Sequence, residues 1–412
     1  MGKQIRKKTD LIIIGGGIFG AAIAYYFKRD NPGKKVAVYE RNEICSGNTG
    51  LAAALISRAR SDKHVIPLSI ETYRVIPELV KITGEPVPIK YNGAIHIASD
   101  QDSVKKLNNL LSSSSENGIE WEYITEMQTR KMVKWLDIPK AVKIAFIHGE
   151  AITDPYILCM AFVKAARKLG VEFFRHRAAD KIIKSGRDII GIRTSEGTHE
   201  SESTVLAAGP WSVTLAYEAG IKLPMAPVRS QYWISEPLQT IFETHAPVVI
   251  IPEAGFYSRP MGNSLLFGLR EAKSVYTDPR QLPDSIDEYS FSKDQGISDL
   301  ISGYEQVVRF FPGFSDMGIK NYVAGFSCYT PDNQFVVGQI PGLQGLLLAT
   351  GCCGAGISVA GGIGLGVASI AAGRKNPFDF SKYKVDRFSQ IDPYSEAHMI
   401  RCGLSRSGKT SG

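Results

Sequence analysis

A chain of 412 residues is long enough for two domains, or for one large domain with an ample hydrophobic core. Its 44% hydrophobic and 22% charged residues are ordinary for a globular protein in water, and it contains no uninterrupted apolar run long enough to cross a bilayer. The formal net charge of +7 comes largely from the two ends of the chain, as is typical of solvated tails, so we expect no nucleic-acid binding.

The first residues and the cysteines bear on the compartment. The chain opens with MGKQIRKKTD and enters an apolar strand at once, which leaves no room for a signal peptide, so we expect a cytoplasmic protein. The six cysteines form no C-x-x-C pair. We therefore predict no metal site, and we expect most of the thiols to be reduced and structural.

The segment LIIIGGGIFG, residues 11–20, carries the strongest functional pattern. Its apolar residues predict a buried parallel strand, and Gly15, Gly17 and Gly20 follow at G-x-G-x-x-G spacing. The first glycine permits a tight turn, the second lets a pyrophosphate approach the backbone, and the third lets the next helix pack closely on the strand. A diphosphate would then lie at the positive end of that helix.

A second apolar strand, KVAVY at residues 35–39, leads to Glu40, about twenty residues beyond the last glycine of the motif. An acidic residue at this place accepts hydrogen bonds from a ribose hydroxyl. Arg41 follows directly and is a candidate partner for a 2′-phosphate, so these two residues do not name the dinucleotide. A tight turn without a ligand would explain the glycines alone, but the combined pattern favours dinucleotide binding.

Two later segments repeat the combination of a buried strand and a glycine turn. STVLAAG, residues 203–209, predicts an apolar strand that ends where the backbone can approach a ligand closely. Residues 346–349 predict a short buried strand, and GCCGAGISVAGGIG then leads into a helix that continues to about Ala372. A block rich in predicted strands separates these segments, so the chain reads as an enzyme of two interleaved domains.

The predicted fold class is mixed α/β (α+β), with a Rossmann-like domain for a dinucleotide interleaved with an antiparallel-sheet substrate domain. The first domain takes residues 1–90, 145–222 and 320–390, the second takes residues 91–144 and 223–319, and residues 391–412 form a C-terminal tail.

Five segments together carry a resemblance to a known family. They are IIIGGGIFGAAIAYYF with Glu40, SGNTGLAAALI, STVLAAGPWS, AGFSCYTPDNQFVVG and LATGCCGAGISVAGGIG. In this order, over nearly the whole length, the chain resembles the FAD-dependent amine and amino-acid oxidoreductases grouped with D-amino-acid oxidase, glycine oxidase, sarcosine oxidase and dye-linked L-proline dehydrogenase.

The resemblance implies FAD in an extended conformation. The residues implied for the ADP half are Gly15, Gly17, Ile18, Phe19, Gly20, Glu40 and Arg41, with Ala179 at the adenine and Ala208 and Gly209 nearby. Those implied beneath the pyrophosphate and ring are Ser46, Asn48, Thr49 and the backbone from Ala53 to Leu55. Gly354, Ala355, Gly356, Ile357 and Ser358, at a helix N-terminus, would stabilise negative charge on the reduced flavin.

The chain departs from the pattern of the family it resembles at the positions implied for substrate binding. Ser327 stands where glycine oxidase-like members carry an arginine for the substrate carboxylate, and Ala355 stands where proline dehydrogenase-like members carry a histidine. Arg259 and Arg270 are the candidate replacements for that cation, although a surface or inter-strand ion pair would explain either. Tyr257 shares a strand face with Arg259 and is a further pocket candidate.

Two neighbouring features are less specific. Of the adjacent Tyr232 and Trp233, only one can line the pocket because successive strand residues face opposite sides. Cys328 is a candidate for a covalent flavin link of the kind found in sarcosine oxidase-like members, with an ordinary buried thiol as the alternative.

The activity that the resemblance implies is oxidation of the C–N bond of an amine or amino acid. A hydride passes to flavin N5, the imine product is hydrolysed by water, and no side-chain triad is required. Oxygen or a quinone would accept the electrons, and the oligomeric state is open. The alternatives are oxidation of a 2-hydroxy acid and a flavin-carrying subunit of a larger dehydrogenase complex.

Overall fold

A computed structural model describes residues 9–138, 143–238, 240–271, 273–288, 291 and 293–408. The strands in this part of the chain are β1 (Thr9–Ile14), β2 (Val36–Tyr39), β3 (Leu55–Ile56), β4 (Ala94–Ala98), β5 (Trp121–Tyr123), β6 (Lys143–Ile147), β7 (Ala151–Ile152), β8 (Glu172–Phe174), β9 (Lys181–Ser185), β10 (Asp188–Thr194), β11 (Gly197–Leu206), β12 (Ala226–Ser235), β13 (Val248–Ile251), β14 (Phe256–Met261), β15 (Ser264–Leu269), β16 (Ile319–Tyr329), β17 (Val336–Gln339) and β18 (Leu346–Thr350).

The helices are α1 (Ile18–Asp30), α2 (Ile66–Thr83), α3 (Gln101–Glu116), α4 (Glu126–Met132), α5 (Pro155–Lys168), α6 (Ser212–Glu218), α7 (Lys293–Val308), α8 (Ala360–Ala371) and α9 (Glu396–Ser407). The start of α5 shows how local sequence sets a boundary. Asp154 caps the helix by accepting a hydrogen bond from the Ile157 N–H, and Pro155 occupies the first helical position, as the sequence predicts. Within the described residues, no helix is both long and apolar enough to span a membrane.

The first sheet has the strand order β17-β18-β11-β1-β2-β8, with β10 attached to β11 and β9 attached to β10. Strand β1 lies between β2 and β11 and is parallel to both, and β18 is parallel to β11. Helices α1, α5 and α8 cover one face, where their apolar side chains form a continuous core with the sheet. Burial on both faces explains why the central strands are apolar at nearly every position.

Parallel pairing places the carboxyl ends of β1, β2, β11 and β18 along one edge of this sheet. The chain leaves these four ends at Gly15, Glu40, Ala207 and Gly351. The turns that are far apart in the sequence are therefore neighbours in the fold. Ligands of open α/β sheets bind at this kind of edge.

The second sheet has the order β16-β12-β15-β14-β13-β4-β6-β5 and is antiparallel except for the pair β13 and β4. One face packs under α7 and a cluster of aromatic residues that includes Trp233 and Phe256. The other face carries Tyr232, Tyr257 and Arg259 toward the first sheet. The mixed fold class and the two kinds of sheet are thus as the sequence predicts. The parallel pair of β13 and β4 within the second sheet was not predicted.

Two segments differ from their local sequence interpretation. Of the strand predicted at residues 203–209, residues 203–206 are the end of β11, a ten-residue strand whose first residues form a hairpin with β10, and residues 207–209 lie beyond the strand. Residues 391–412, set apart as a tail, include α9, which packs on β12 and β16. The packing of α9 on β12 and β16 is a long-range contact without a local signal.

The cysteines are mostly free, as expected, with one exception. Cys45 and Cys159 form a disulfide that closes the loop after β2 onto α5. Cys328, Cys352, Cys353 and Cys402 are free thiols.

Two buried histidines generate a prediction about pH. Burial lowers the pKa of His96 and of His398 from 6.5 to about 4. In the unfolded chain each side chain binds a proton near pH 6.5, whereas the folded protein resists protonation, so the free energy of unfolding falls as the pH falls from 6.5 toward 4. We expect His96→Asn to remove up to about 3 kcal/mol of this pH-dependent loss.

Urea unfolding at pH 7 and pH 5 measures the effect, and the exposed His245 provides the control variant His245→Asn. A wild-type-like pH dependence in His96→Asn would contradict the assignment of a neutral, buried imidazole.

Candidate functional site

A cavity of about 600 Å³ lies between the two sheets, at the edge where the parallel strands end. This volume is within the ordinary range for small-molecule and cofactor sites, roughly 300–1,000 Å³. The residues implied for the cofactor that line it are Gly15, Gly17, Ile18, Phe19, Glu40, Arg41, Ser46, Asn48, Thr49, Ala53, Leu55, Ala179, Ala208, Gly209, Gly354, Ala355, Gly356, Ile357 and Ser358. Gly20 lies outside the lining.

The glycines after β1 have the steric roles that their spacing predicts. Gly15 has φ +107°, and a Cβ there would lie 2.5 Å from the carbonyl oxygen of Ala207. A Cβ on Gly20 would lie 2.0 Å from the carbonyl oxygen of Gly15, so its role is close packing of α1 on β1. Phe19 is in the first turn of α1, where amides have no intrahelical acceptor, and it lines the cavity.

Glu40 organises the next turn. One carboxylate oxygen accepts the Gly16 N–H at 2.7 Å, and the other accepts the Asn42 N–H at 2.9 Å. A carboxylate oxygen has more than one acceptor site, so Glu40 can also accept a ribose hydroxyl from the cavity. A side-chain-free turn, open helix amides and an acidic acceptor therefore fit the ADP half of an FAD molecule.

The loop from Ser46 to Leu55 forms the opposite wall. The Thr49 hydroxyl accepts the Ile18 N–H at 3.1 Å, which ties the loop to the start of α1. Arg259 donates from Nε to the carbonyl oxygen of Ala53 at 2.5 Å and does not line the cavity. Its guanidinium thus contacts the loop that the resemblance places against the flavin, and not the open space where substrate would lie.

The segment before α8 closes this wall. Gly354 to Ser358 lie in turns, and the helix itself begins at Ala360, so these residues precede the N-terminal turn. Ser358 donates to the carbonyl oxygen of Leu55 at 2.8 Å and accepts from Arg60 at 3.3 Å. Arg60 is buried and lines the cavity, which sequence reasoning missed.

Glu150 explains how Arg60 is placed. Its carboxylate is buried and accepts the backbone N–H groups of Arg58 and Ala59, at 2.8 and 3.2 Å. Burial raises the pKa of Glu150 and lowers that of Arg60. The loop that follows β3 is therefore held from behind by an acidic side chain that the sequence does not single out.

A strap formed by residues 279–286 covers the Glu40 end of the cavity. Asp284 accepts from Arg41 at 2.7 Å, and its carbonyl oxygen accepts from the side chain of Asn42 at 3.0 Å. The Trp211 indole N–H donates to the carbonyl oxygen of Pro283 at 2.8 Å, and the Arg41 guanidinium lies 5.8 Å from the Trp211 ring centre. Arg41 thus binds the strap. The contact that the structure gives for this arginine is with Asp284, whereas the sequence made it a candidate partner for a 2′-phosphate.

The other end of the cavity is lined by phenols and guanidinium groups. Tyr232, Tyr257, Tyr329, Arg270 and Arg406 all line it. Burial raises the pKa of Tyr257 to about 12 and raises the pKa values of Tyr232 and Tyr329, so all three phenols are neutral donors near pH 7. Burial lowers the pKa of Arg270 to about 10, so its guanidinium remains cationic there.

Ser327 and two cysteines also line the cavity. The Ser327 hydroxyl lies 3.4 Å from the sulfur of Cys352, which is partly exposed. Cys328 is buried, and burial raises the pKa of its thiol well above the usual value. A neutral thiol is a poor nucleophile, which supports the ordinary buried thiol over a covalent flavin link.

Three functional positions had no local signal. Arg60 lies in a loop, Asp284 in an irregular strap, and Arg406 in the supposed tail. Each reaches the cavity through contacts with residues more than 130 positions away. At the substrate end, Arg270 is the cavity-lining arginine that the sequence analysis names.

The strap generates a prediction about cofactor retention. We expect Asp284→Ala to speed the release of the FAD that the resemblance predicts by about 2- to 5-fold, because an exposed ion pair contributes up to about 1 kcal/mol. The rise in free flavin fluorescence after dilution measures the release rate. Asp316→Ala removes an exposed carboxylate outside the cavity and is the matched control. Equal release rates in the two variants would show that the strap does not retain the cofactor.

Comparison with known proteins agrees with this geometry. The sequence model of the family described as "FAD dependent oxidoreductase" matches residues 10–370. Sarcosine dehydrogenase of Mus musculus is 25% identical over 391 residues, which are 92% of this chain and 41% of the mouse protein. Glycine oxidase of Bacillus licheniformis is 27% identical over 385 residues, which are 90% of this chain and 94% of the bacterial protein.

The fold has solved counterparts. The crystal structure of L-proline dehydrogenase from P. horikoshii superposes with a TM-score of 0.80 at 22% identity, over 93% of this chain and 98% of that chain. At this identity the likeness concerns the fold alone. Several curated relatives, the mouse dehydrogenase among them, are more than twice as long as the matched region. The family match, the strand order and the glycine-lined cavity agree, and the chain belongs to the FAD-dependent oxidoreductase family.

Proposed function

We propose that this chain oxidises the C–N bond of an amine or amino acid that carries a carboxylate, and that oxygen or a quinone then accepts the electrons. The observation that carries the proposal is the continuity of the cavity. One end has the glycine turns and Glu40 that fit FAD, and the other end has Arg270 among three neutral phenols. Relatives named for sarcosine and glycine support an amino-acid substrate.

Bound FAD supplies the acceptor for two electrons and one hydrogen, taken from the substrate carbon as a hydride at N5. The protein's part is orientation. Arg270 would bind the carboxylate, and Tyr232, Tyr257 or Tyr329 would donate to the carboxylate or fix the nitrogen. The substrate loses its C–H hydride and becomes an iminium, which water converts to a carbonyl compound and a free amine or ammonia.

The lining also bears on the 2-hydroxy-acid alternative. Loss of a hydride from an alcohol requires a base that removes the hydroxyl proton, whereas an amine that has first lost its proton to water drives the same step with its lone pair. Among the described residues that line the cavity there is no histidine, and none of the lining carboxylates lies among the substrate-end residues. The phenols there are protonated at neutral pH because burial raises their pKa values. Amine oxidation therefore fits the residues at the substrate end of the cavity better than oxidation of a 2-hydroxy acid does.

Anaerobic reduction of the flavin tests the proposed function. We expect the absorbance of the purified holoenzyme to bleach with N-methylated or cyclic amino acids and not with the matching 2-hydroxy acids. Admission of air then shows whether oxygen is the acceptor. Bleaching by hydroxy acids alone, or by no amine in the panel, would refute the proposal.

The two candidate arginines predict different phenotypes. We expect Arg270→Gln to raise KM for a carboxylate substrate by about 30-fold or more, on the order of 2 kcal/mol, because a buried guanidinium is lost from the carboxylate. The same variant should change KM for the corresponding amino-acid amide little. Steady-state kinetics with both substrates measure the contrast.

Arg259→Gln is the matched comparison, because Arg259 donates to the Ala53 carbonyl beside the cofactor. We expect it to weaken FAD retention and to affect carboxylate and amide substrates equally. If Arg259→Gln raised KM selectively for the carboxylate substrate and Arg270→Gln weakened FAD retention, Arg259 would be the substrate anchor instead.

A further inference from the structure

The C-terminal helix α9 lies beyond residues 10–370, the part of the chain that the family model matches. It packs on the substrate sheet through Met399 and Cys402, which join a buried cluster with Val228 and Tyr329. Ser405 donates to the carbonyl oxygen of Thr330 at 2.6 Å. The helix is therefore packed against the substrate sheet and is not a solvated tail.

The last turn of α9 brings a charge into the cavity wall. Arg406 is buried, lines the cavity, and donates from Nη1 to Glu271 and, at 3.4 Å, to the Ser274 hydroxyl. Both contacts use Nη1, so Nε and Nη2 keep their capacity to donate. Glu271 thus fixes one edge of the guanidinium and leaves the other edge for a ligand.

Behind this wall lies a buried ionic network. Glu271 also accepts from Arg229 at 3.4 Å, and Arg229 pairs with Asp299. With Arg406, this network contains two guanidinium groups and two carboxylates. The buried charges of the network therefore offset one another, and the network holds Arg406 in place.

Arg270 and Arg406 act on the same part of the cavity. Each guanidinium lowers the pKa values of Tyr257 and Tyr329 against the larger effect of burial, which raises them. Arg406 also opposes the charge on Arg270, whose pKa is lowered mainly by burial. Two cations and two phenols therefore face one region of the wall.

We propose that Arg406 is a specificity-determining residue that forms, with Arg270, a two-arginine subsite for the carboxylate of the substrate. That this carboxylate belongs to an amine substrate rests on the proposed function. The binding of an anion by Arg270 and Arg406 can be tested without it. Arg406 selects carboxylate-bearing amines over neutral ones, and α9 is the element that brings this residue to the cavity.

Ligand binding to the oxidised holoenzyme tests the subsite without turnover. The flavin absorbance spectrum is titrated with acetate and with acetamide, which has a similar shape but no charge. We expect Arg406→Gln to weaken acetate binding by about tenfold or more and to leave acetamide binding unchanged, since a charged hydrogen bond is lost. Arg406→Lys, which keeps the charge, should recover part of the affinity. Arg401→Gln, an exposed position on α9, is the control.

Loss of Arg406 alone leaves part of the Glu271 charge uncompensated and can prevent folding. The double variant Glu271→Gln with Arg406→Gln removes both charges and should show the same selective loss of acetate affinity. Wild-type acetate affinity in either folded variant, or no saturable acetate response in the wild type, would overturn the proposal.

The results separate this inference from the proposed function. Selective loss of acetate binding in an enzyme that no amine reduces would uphold the subsite and refute amine oxidation. Amine-dependent bleaching with unaltered acetate binding in Arg406→Gln would uphold the activity and refute the subsite.

Discussion

The close approach of two strand ends at one sheet edge is the constraint on which the site depends. Gly15 leaves β1 with a positive φ, and its missing side chain makes room for the backbone at Ala207, after β11. Parallel pairing brings Glu40 and Gly351 to the same edge. Any side chain at Gly15 would separate the turns that form the cofactor wall. Backbone packing, more than any single polar contact, therefore creates the cavity.

The substrate wall is built on a different principle. Charged side chains from β12, from the end of β15 and from α9 are buried together, and they are tolerable there because they neutralise one another. Such a network fixes each guanidinium in one orientation, which suits recognition of a planar carboxylate. The strand ends thus place the glycine turns at one end of the cavity, and a set of paired charges supports the wall at the other end. This division agrees with function being carried by sites placed on a common fold.

The residues of the glycine turns that line the cavity were predictable because their signals are local. Gly15, Gly17 and Gly20 have one steric reason each, and Glu40 follows from the length of a strand–helix–strand unit. The substrate cations were harder. The alternation of a strand places Tyr257 and Arg259 on one face, but it does not reveal that Arg259 turns to the Ala53 carbonyl. Arg41 reads as a phosphate ligand beside Glu40, whereas its partner Asp284 lies 243 positions later.

The sequence by itself determined the two interleaved sheets, the dinucleotide-binding turns and the family resemblance, because apolar periodicity and glycine spacing act over a few residues. Only the tertiary structure decided which charged groups meet. The pairing of Arg406 with Glu271 and the strap over Arg41 join segments that are distant along the chain. Such pairs depend on the packing of whole elements, and the energy of a buried charge is set by all of its neighbours at once. No local pattern of residues encodes that sum.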